Sequence, residues 1–166
     1  MRLATLIPTA LTALLPWTAS AQQPPELTQF RDWTLACEPA DRSQCMIRQV
    51  LINSQTQAPI MTVMIGYSRN IKANPVIVFN LPASIRSQEL LTLKVDTSDQ
   101  KGIPGIRCNG QVCSAIANFT PDLAAEFQKG SRVAVTFPDQ TQRVGLTVSL
   151  GGFSAAYKAL LVRHAH

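Results

Sequence analysis

The apolar residues of this chain recur mainly with a period of two. From Phe30 to Cys37, Trp33, Leu35 and Cys37 fall on one side and Asp32, Thr34 and Ala36 on the other, the alternation of a half-buried strand. Leu91, Leu93 and Val95 alternate with Thr92, Lys94 and Asp96, and Val133, Val135 and Phe137 with Arg132, Ala134 and Thr136. Val144, Leu146, Val148 and Leu150 do the same against Arg143, Gly145, Thr147 and Ser149. The run Cys45 to Ile52 differs, because Met46, Val50 and Ile52 oppose Ile47 and Leu51 and both faces are partly apolar. Such a strand is expected in the middle of a sandwich or covered sheet. Pro59 opens a run over Ile60 to Tyr67 and Pro75 another over Val76 to Leu81, each proline standing where no ladder donor is needed.

Two stretches break the period. Thr120-Pro121-Asp122 supplies an N-cap, a proline for the first helical position and an acid for the first turn, and Lys129-Gly130 a cation and a stop. Leu123 and Phe127, four apart, give that helix an apolar face. Ser154 is expected to cap a second helix over Ala155 to Val162, turning Tyr157, Leu160 and Leu161 toward the sheet. Short strands with turn residues between them predict a mainly β fold, an antiparallel β-sandwich or a partly closed barrel, with two short helices. No internal repeat accompanies it.

The N-terminus changes the picture. Arg2 precedes an apolar run, Leu3 to Trp17, that ends in Ala19-Ser20-Ala21, small residues where a signal peptidase cuts. The run is also long enough to cross a bilayer of roughly 30 Å. Pro8 and Pro16 interrupt it and no stop-transfer charges follow, which favours cleavage after Ala21 over an anchor. Residues 1–21 are therefore read as a signal peptide, 22–29 as a flexible lead containing Pro24 and Pro25, and 30–163 as a single β-rich domain. Loss of Arg2 lowers the net charge from +5 to +4, a mild bias toward anionic surfaces. Charged residues make up only 15% and form no basic run interleaved with aromatics, so a nucleic-acid role has no support.

All four cysteines, Cys37, Cys45, Cys108 and Cys113, follow the signal. An even count behind an export signal reads as disulfides. Of three pairings, Cys37 with Cys45 and Cys108 with Cys113 are favoured, because one turn between strands brings each pair together. Each short loop would contribute about 2–3 kcal/mol. A four-thiolate metal site is disfavoured, since neither pair has the two-residue spacing of zinc knuckles. No metal or cofactor is expected.

The histidines, His164 and His166, fall within the last three residues, which excludes Ser-His-Asp and Cys-His chemistry built on a rigidly held imidazole. Asp96 and Asp99 read as turn residues after a strand. Gly151-Gly152, between a strand and a helix, reads as a close backbone approach in preference to an anion-binding turn. Trp33 is expected to pack in the core against the neighbouring disulfide. Arg31, Arg42, Arg48, Arg69, Lys72 and Arg86 are the densest basic stretch, expected to scatter over solvated faces. No catalytic residue is identified, and the chain is read as a protein other than an enzyme.

Several of these segments, taken in order, resemble the invasion-associated locus B protein family of alphaproteobacterial envelopes. They are Phe30-Arg31-Asp32-Trp33 with Cys37 four residues on, Cys45-Met46-Ile47-Arg48-Gln49, Val95-Asp96, Cys108 with Cys113, and Leu150-Gly151-Gly152-Phe153-Ser154-Ala155-Ala156. Together they cover nearly the whole chain after the signal. Leu81-Pro82-Ala83-Ser84-Ile85 lacks the glycine that the family carries after its middle proline, and Val112 precedes Cys113 where the family has glycine. The resemblance implies a periplasmic or outer-membrane-associated, disulfide-bonded β protein without catalytic residues. The expected role is binding another envelope protein, an anionic envelope surface or a host-surface partner, with peripheral membrane association allowed. The alternative is an accessory subunit that stabilises a larger membrane-bound complex. Oligomeric state and strand order stay open.

Overall fold

A computed structural model of the protein describes residues 24–39, 41, 44–68, 71–85, 89–139 and 142–165. The expected signal segment, Arg42, Arg69, Arg86 and His166 lie outside the described residues. Along the chain come β1 (Glu26–Phe30), β2 (Trp33–Cys37), β3 (Cys45–Ile52), β4 (Pro59–Ser68), β5 (Ile71–Pro82), β6 (Leu91–Val95) and β7 (Lys101–Ile103). They are followed by β8 (Arg107–Cys108), β9 (Val112–Asn118), α1 (Pro121–Lys129), β10 (Arg132–Asp139), β11 (Gln142–Ser149) and α2 (Phe153–His164).

The strands form two separate antiparallel sheets, one of seven in the order β1-β2-β3-β4-β5-β9-β8 and one of four in the order β11-β10-β6-β7. The fold is therefore a sandwich and not a partly closed barrel. The alternation seen in the sequence sets its interior. Trp33, Leu35, Ile47, Val63, Ile65, Ile77 and Phe79 point inward from the large sheet, and Leu91, Leu93, Val133, Val135 and Val148 from the small one. At one corner Trp33, Phe119, Phe127, Phe153 and Tyr157 meet through edge-to-face and stacked contacts with ring centroids 5.1–6.1 Å apart, a geometry that adds quadrupolar attraction to apolar burial.

Five expectations are corrected. Pro75 does not open its strand, because β5 begins at Ile71 and carries Pro75 in its interior. The lead read over 22–29 ends sooner, because Glu26–Phe30 pairs with Trp33–Cys37 as strand β1, bent back by a turn in which Arg31 takes φ 53°. The run Phe30 to Cys37 is thus two strands. Ser154 does not cap α2: Gly152 holds the N-cap position without a side-chain bond, and the Ser154 hydroxyl donates to the Gln128 carbonyl of α1 at 3.2 Å. Leu161 points outward, 40% exposed, while Tyr157 and Leu160 are buried. α1 follows its sequence signals, with the Thr120 hydroxyl accepting the Leu123 N–H at 3.3 Å.

Candidate functional site

Trp33, Gly151, Gly152 and Phe153 lie together although 118 to 120 positions separate the tryptophan from the others. The wholly buried Trp33 packs edge-to-face on Phe153 at 5.1 Å, and its indole Nε1 donates to the Ser149 carbonyl at 2.8 Å. Asp32 receives the Ser149 hydroxyl at 2.6 Å and donates its backbone N–H to the Gly151 carbonyl at 3.2 Å. A Cβ on Gly152 would stand 2.0 Å from the Phe30 carbonyl oxygen, and its φ is 86°. The junction holds the β1–β2 turn against the start of α2. Its groups are occupied with one another, which makes it a structural lock.

Cys37 is bonded to Cys45 and Cys108 to Cys113. In each case the partners face one another across neighbouring strands. The adjacent pairs Glu38–Gln44 and Asn109–Val112 carry the backbone hydrogen bonds. The cysteines therefore occupy the close, non-hydrogen-bonded positions, with Cα atoms 4.1 and 4.0 Å apart.

The two outer faces of the sandwich differ. The small sheet turns Lys94, Thr136, Arg132 and Thr147 outward, as expected of a solvated face. The large sheet does not. Register aligns Thr34, Arg48, Met64, Val78 and Ile116 in one row across five strands, and Leu27, Ala36, Met46, Gly66 and Val76 in the next. Val50 and Ile52 extend the apolar area along β3. Ile116 is 57% exposed, Leu27 54%, Ile52 52%, Val50 44% and Met46 39%. The second apolar side of β3, expected to be covered, is thus open in this chain. Contiguous exposed apolar area of this kind marks interaction surfaces. Arg48 lies inside the area and Arg107 at its β8 border. Among the described residues no strand of this face points a carboxylate outward.

A groove of about 190 Å³ indents the face, lined by Met46, Met64, Val76, Val78 and, at its end, Glu38 and Gln44 beside the Cys37–Cys45 bridge. Gly66 makes the indentation: it has no side chain between Met46 and Val76, and a Cβ there would come 3.0 Å from that of Met46. Beneath, Tyr67 stacks on His164 at 3.4 Å, so this histidine is held in the last turn of α2 and is not part of a frayed tail. Burial pushes the Tyr67 phenol above its ordinary range. Burial, then the neighbouring Tyr67, does the same to Tyr157. Both phenols stay protonated at neutral pH. Asp96 spends its carboxylate on the Ser131 and Arg132 N–H groups at 2.8 and 3.2 Å. Among the described residues no group of three His, Cys, Asp or Glu side chains is placed to hold a metal, and no helix is long and apolar enough to cross a membrane.

Sequence reasoning named the residues of the lock and the bridges but not this face. The available signal was the apolar Met46, Val50 and Ile52 on the far side of β3, read there as a buried surface.

Fold and surface together define a class: a disulfide-bonded two-sheet sandwich, flanked by two helices, with an exposed apolar area on the outer face of its larger sheet. The family model described as invasion associated locus B (IalB) protein matches residues 33–161, and the chain belongs to that family. The fold is similar to the crystal structure of invasion associated protein B from Bartonella henselae, with a TM-score of 0.72 and 17% sequence identity over 85% of this chain and 99% of that one. No curated protein matches the chain in sequence. Two disulfides accord with an oxidising compartment outside the cytoplasm.

Proposed function

We propose that this protein is a non-enzymatic binding protein of the cell envelope that docks another envelope protein on the outer face of its seven-stranded sheet. One observation carries the reading: that face exposes Leu27, Met46, Val50, Ile52 and Ile116 with two arginines, whereas the opposite face of the sandwich is polar. The partner that fits has an apolar patch bordered by carboxylates. The groove at Gly66 takes an aliphatic or methionine side chain as an anchor, and Arg48 pairs with an acid. Membership of a family described as invasion-associated supports a partner outside the cytoplasm.

The test is affinity capture from envelope extract with the wild-type protein, a Val50→Glu/Ile116→Glu variant and a Lys94→Glu variant on the opposite face. All substituted positions are exposed, so all three proteins should keep both disulfides and the same circular dichroism. The expected result is a defined partner held by wild type and Lys94→Glu, lost from the double variant and weakened by salt, which screens charges over about 10 Å at 0.1 M. Equal capture by all three proteins, or none by the wild type at any salt concentration, would remove the proposal.

A further inference from the structure

The four-stranded sheet ends on β11, and this edge has a self-complementary register. Leu150 donates its N–H to the Ser131 carbonyl at 3.0 Å. By the alternation of antiparallel ladders, the even-numbered residues of β11 bond to β10 and the odd-numbered ones face away. Ser149 is already engaged there, its N–H and carbonyl taken by the Gln49 amide and its carbonyl also by Trp33. Arg143, Gly145 and Thr147 are exposed and aim their backbone groups past the end of the sheet. Among the described residues no strand covers this row, and an open row of this kind is a template for another strand.

We propose that the strand it takes is β11 of a second copy, antiparallel and centred on Gly145. In that register Gly145 meets Gly145 of the other copy, and Arg143 meets Thr147 at both ends. All three pairs are of the hydrogen-bonded kind, joining the two four-stranded sheets into one. On the inner side Val144 faces Leu146 of the other copy. These are the two residues of β11 that pack on the core while remaining partly exposed, and the added strand covers them. On the outer side no charges of like sign oppose each other. The two Arg143 side chains lie four residues, or about 14 Å, from direct opposition, and the existing contact of Arg143 with Glu89 is a long, exposed one at 3.8 Å that yields at little cost. The contact rests on the eight residues of β11, fewer than the roughly 20–30 a side of a standard protein–protein interface, so association calls for high protein concentration. It leaves the outer face of the seven-stranded sheet free and does not depend on the role proposed for that face.

Sedimentation equilibrium of the oxidised protein, from micromolar to millimolar concentration, tests the inference. Wild type should pass from monomer to dimer. Thr147→Glu, which places an acid opposite Arg143 twice per dimer, should tighten association roughly threefold to tenfold, and Thr147→Arg should weaken it by a similar factor. Gly145→Pro should abolish it, because the N–H removed is one the monomer does not use. A wild-type protein that stays monomeric at millimolar concentration, or a dimer indifferent to both Thr147 substitutions, would overturn the proposal.

Discussion

The side-chain amide of Gln49 pairs with the backbone of Ser149 as a neighbouring strand would, donating from Nε2 to the Ser149 carbonyl and accepting its N–H at Oε1, each at 3.0 Å. Among the described residues Gln49 is the buried polar side chain of the core, and this pairing explains it: the amide joins β3 of one sheet to the last residue of β11 in the other. Gln49→Leu keeps the volume and removes both bonds. The Ser149 carbonyl retains the Trp33 indole, but its N–H is left without a partner, at a cost of about 1–3 kcal/mol. Urea unfolding should show a lower midpoint with an unchanged slope.

Gly152→Ala should be far more damaging than alanine at Gly105 or Gly110. All three glycines have positive φ, but only at Gly152 does a Cβ collide with backbone, the Phe30 carbonyl at 2.0 Å; at the other two nothing lies within 4 Å. The open positions should cost about 1–2 kcal/mol of left-handed strain. At Gly152 the β1–β2 turn must shift as well, which should separate Trp33 from Phe153. Thermal unfolding of the three variants, with near-ultraviolet circular dichroism as the reporter of the aromatic corner, checks the order.

The two bridges should open in sequence under limiting reductant. Cys108 is exposed, whereas Cys37 and Cys45 are 2% and 5% accessible, and thiol–disulfide exchange requires access to a sulfur. Alkylation and mass mapping at partial reduction should find Cys108 and Cys113 labelled first. Replacing Cys37 and Cys45 by alanine should then cost about 2–3 kcal/mol, the value of a short closed loop, and deform the groove they border.

Tyr67 and Tyr157 are the two tyrosines of the chain. Burial raises both above the ordinary value of 10.0, so the folded protein keeps its phenolic protons where the unfolded chain has released them. Their contribution to stability is fully present below pH 10 and falls as pH rises from there through the folded values. Tyrosinate absorbance should therefore lag that of the urea-unfolded protein, and the denaturation midpoint should decline across the same alkaline range.

Much of the sandwich was written in local pattern. Period-two alternation marked β2, β6, β10 and β11 because each buries one side in the core, and Thr120-Pro121 with Gly130 bounded α1 because capping is decided within one turn. β1 escaped, since its residues are exposed or only partly buried and its strand identity comes from pairing with β2. The three-residue β7 and two-residue β8 are too short to carry a period. The start of α2 was misplaced because Gly152, not Ser154, sits at the turn that Phe30 forces.

By itself the sequence determined the class of fold, the family to which the chain belongs, and two bridges between cysteines eight and five residues apart. These depend on side-chain alternation and on loops short enough for neighbours in sequence to be neighbours in space. Tertiary structure alone decided which apolar faces are covered. Met46, Val50 and Ile52 carry the same hydrophobic signal as Ile47, and only the packing of α2 and the second sheet on one side of the large sheet makes Ile47 core and leaves the others as surface. It likewise decided which strand ends a sheet, because an edge is defined by the absence of a neighbour that no local pattern records.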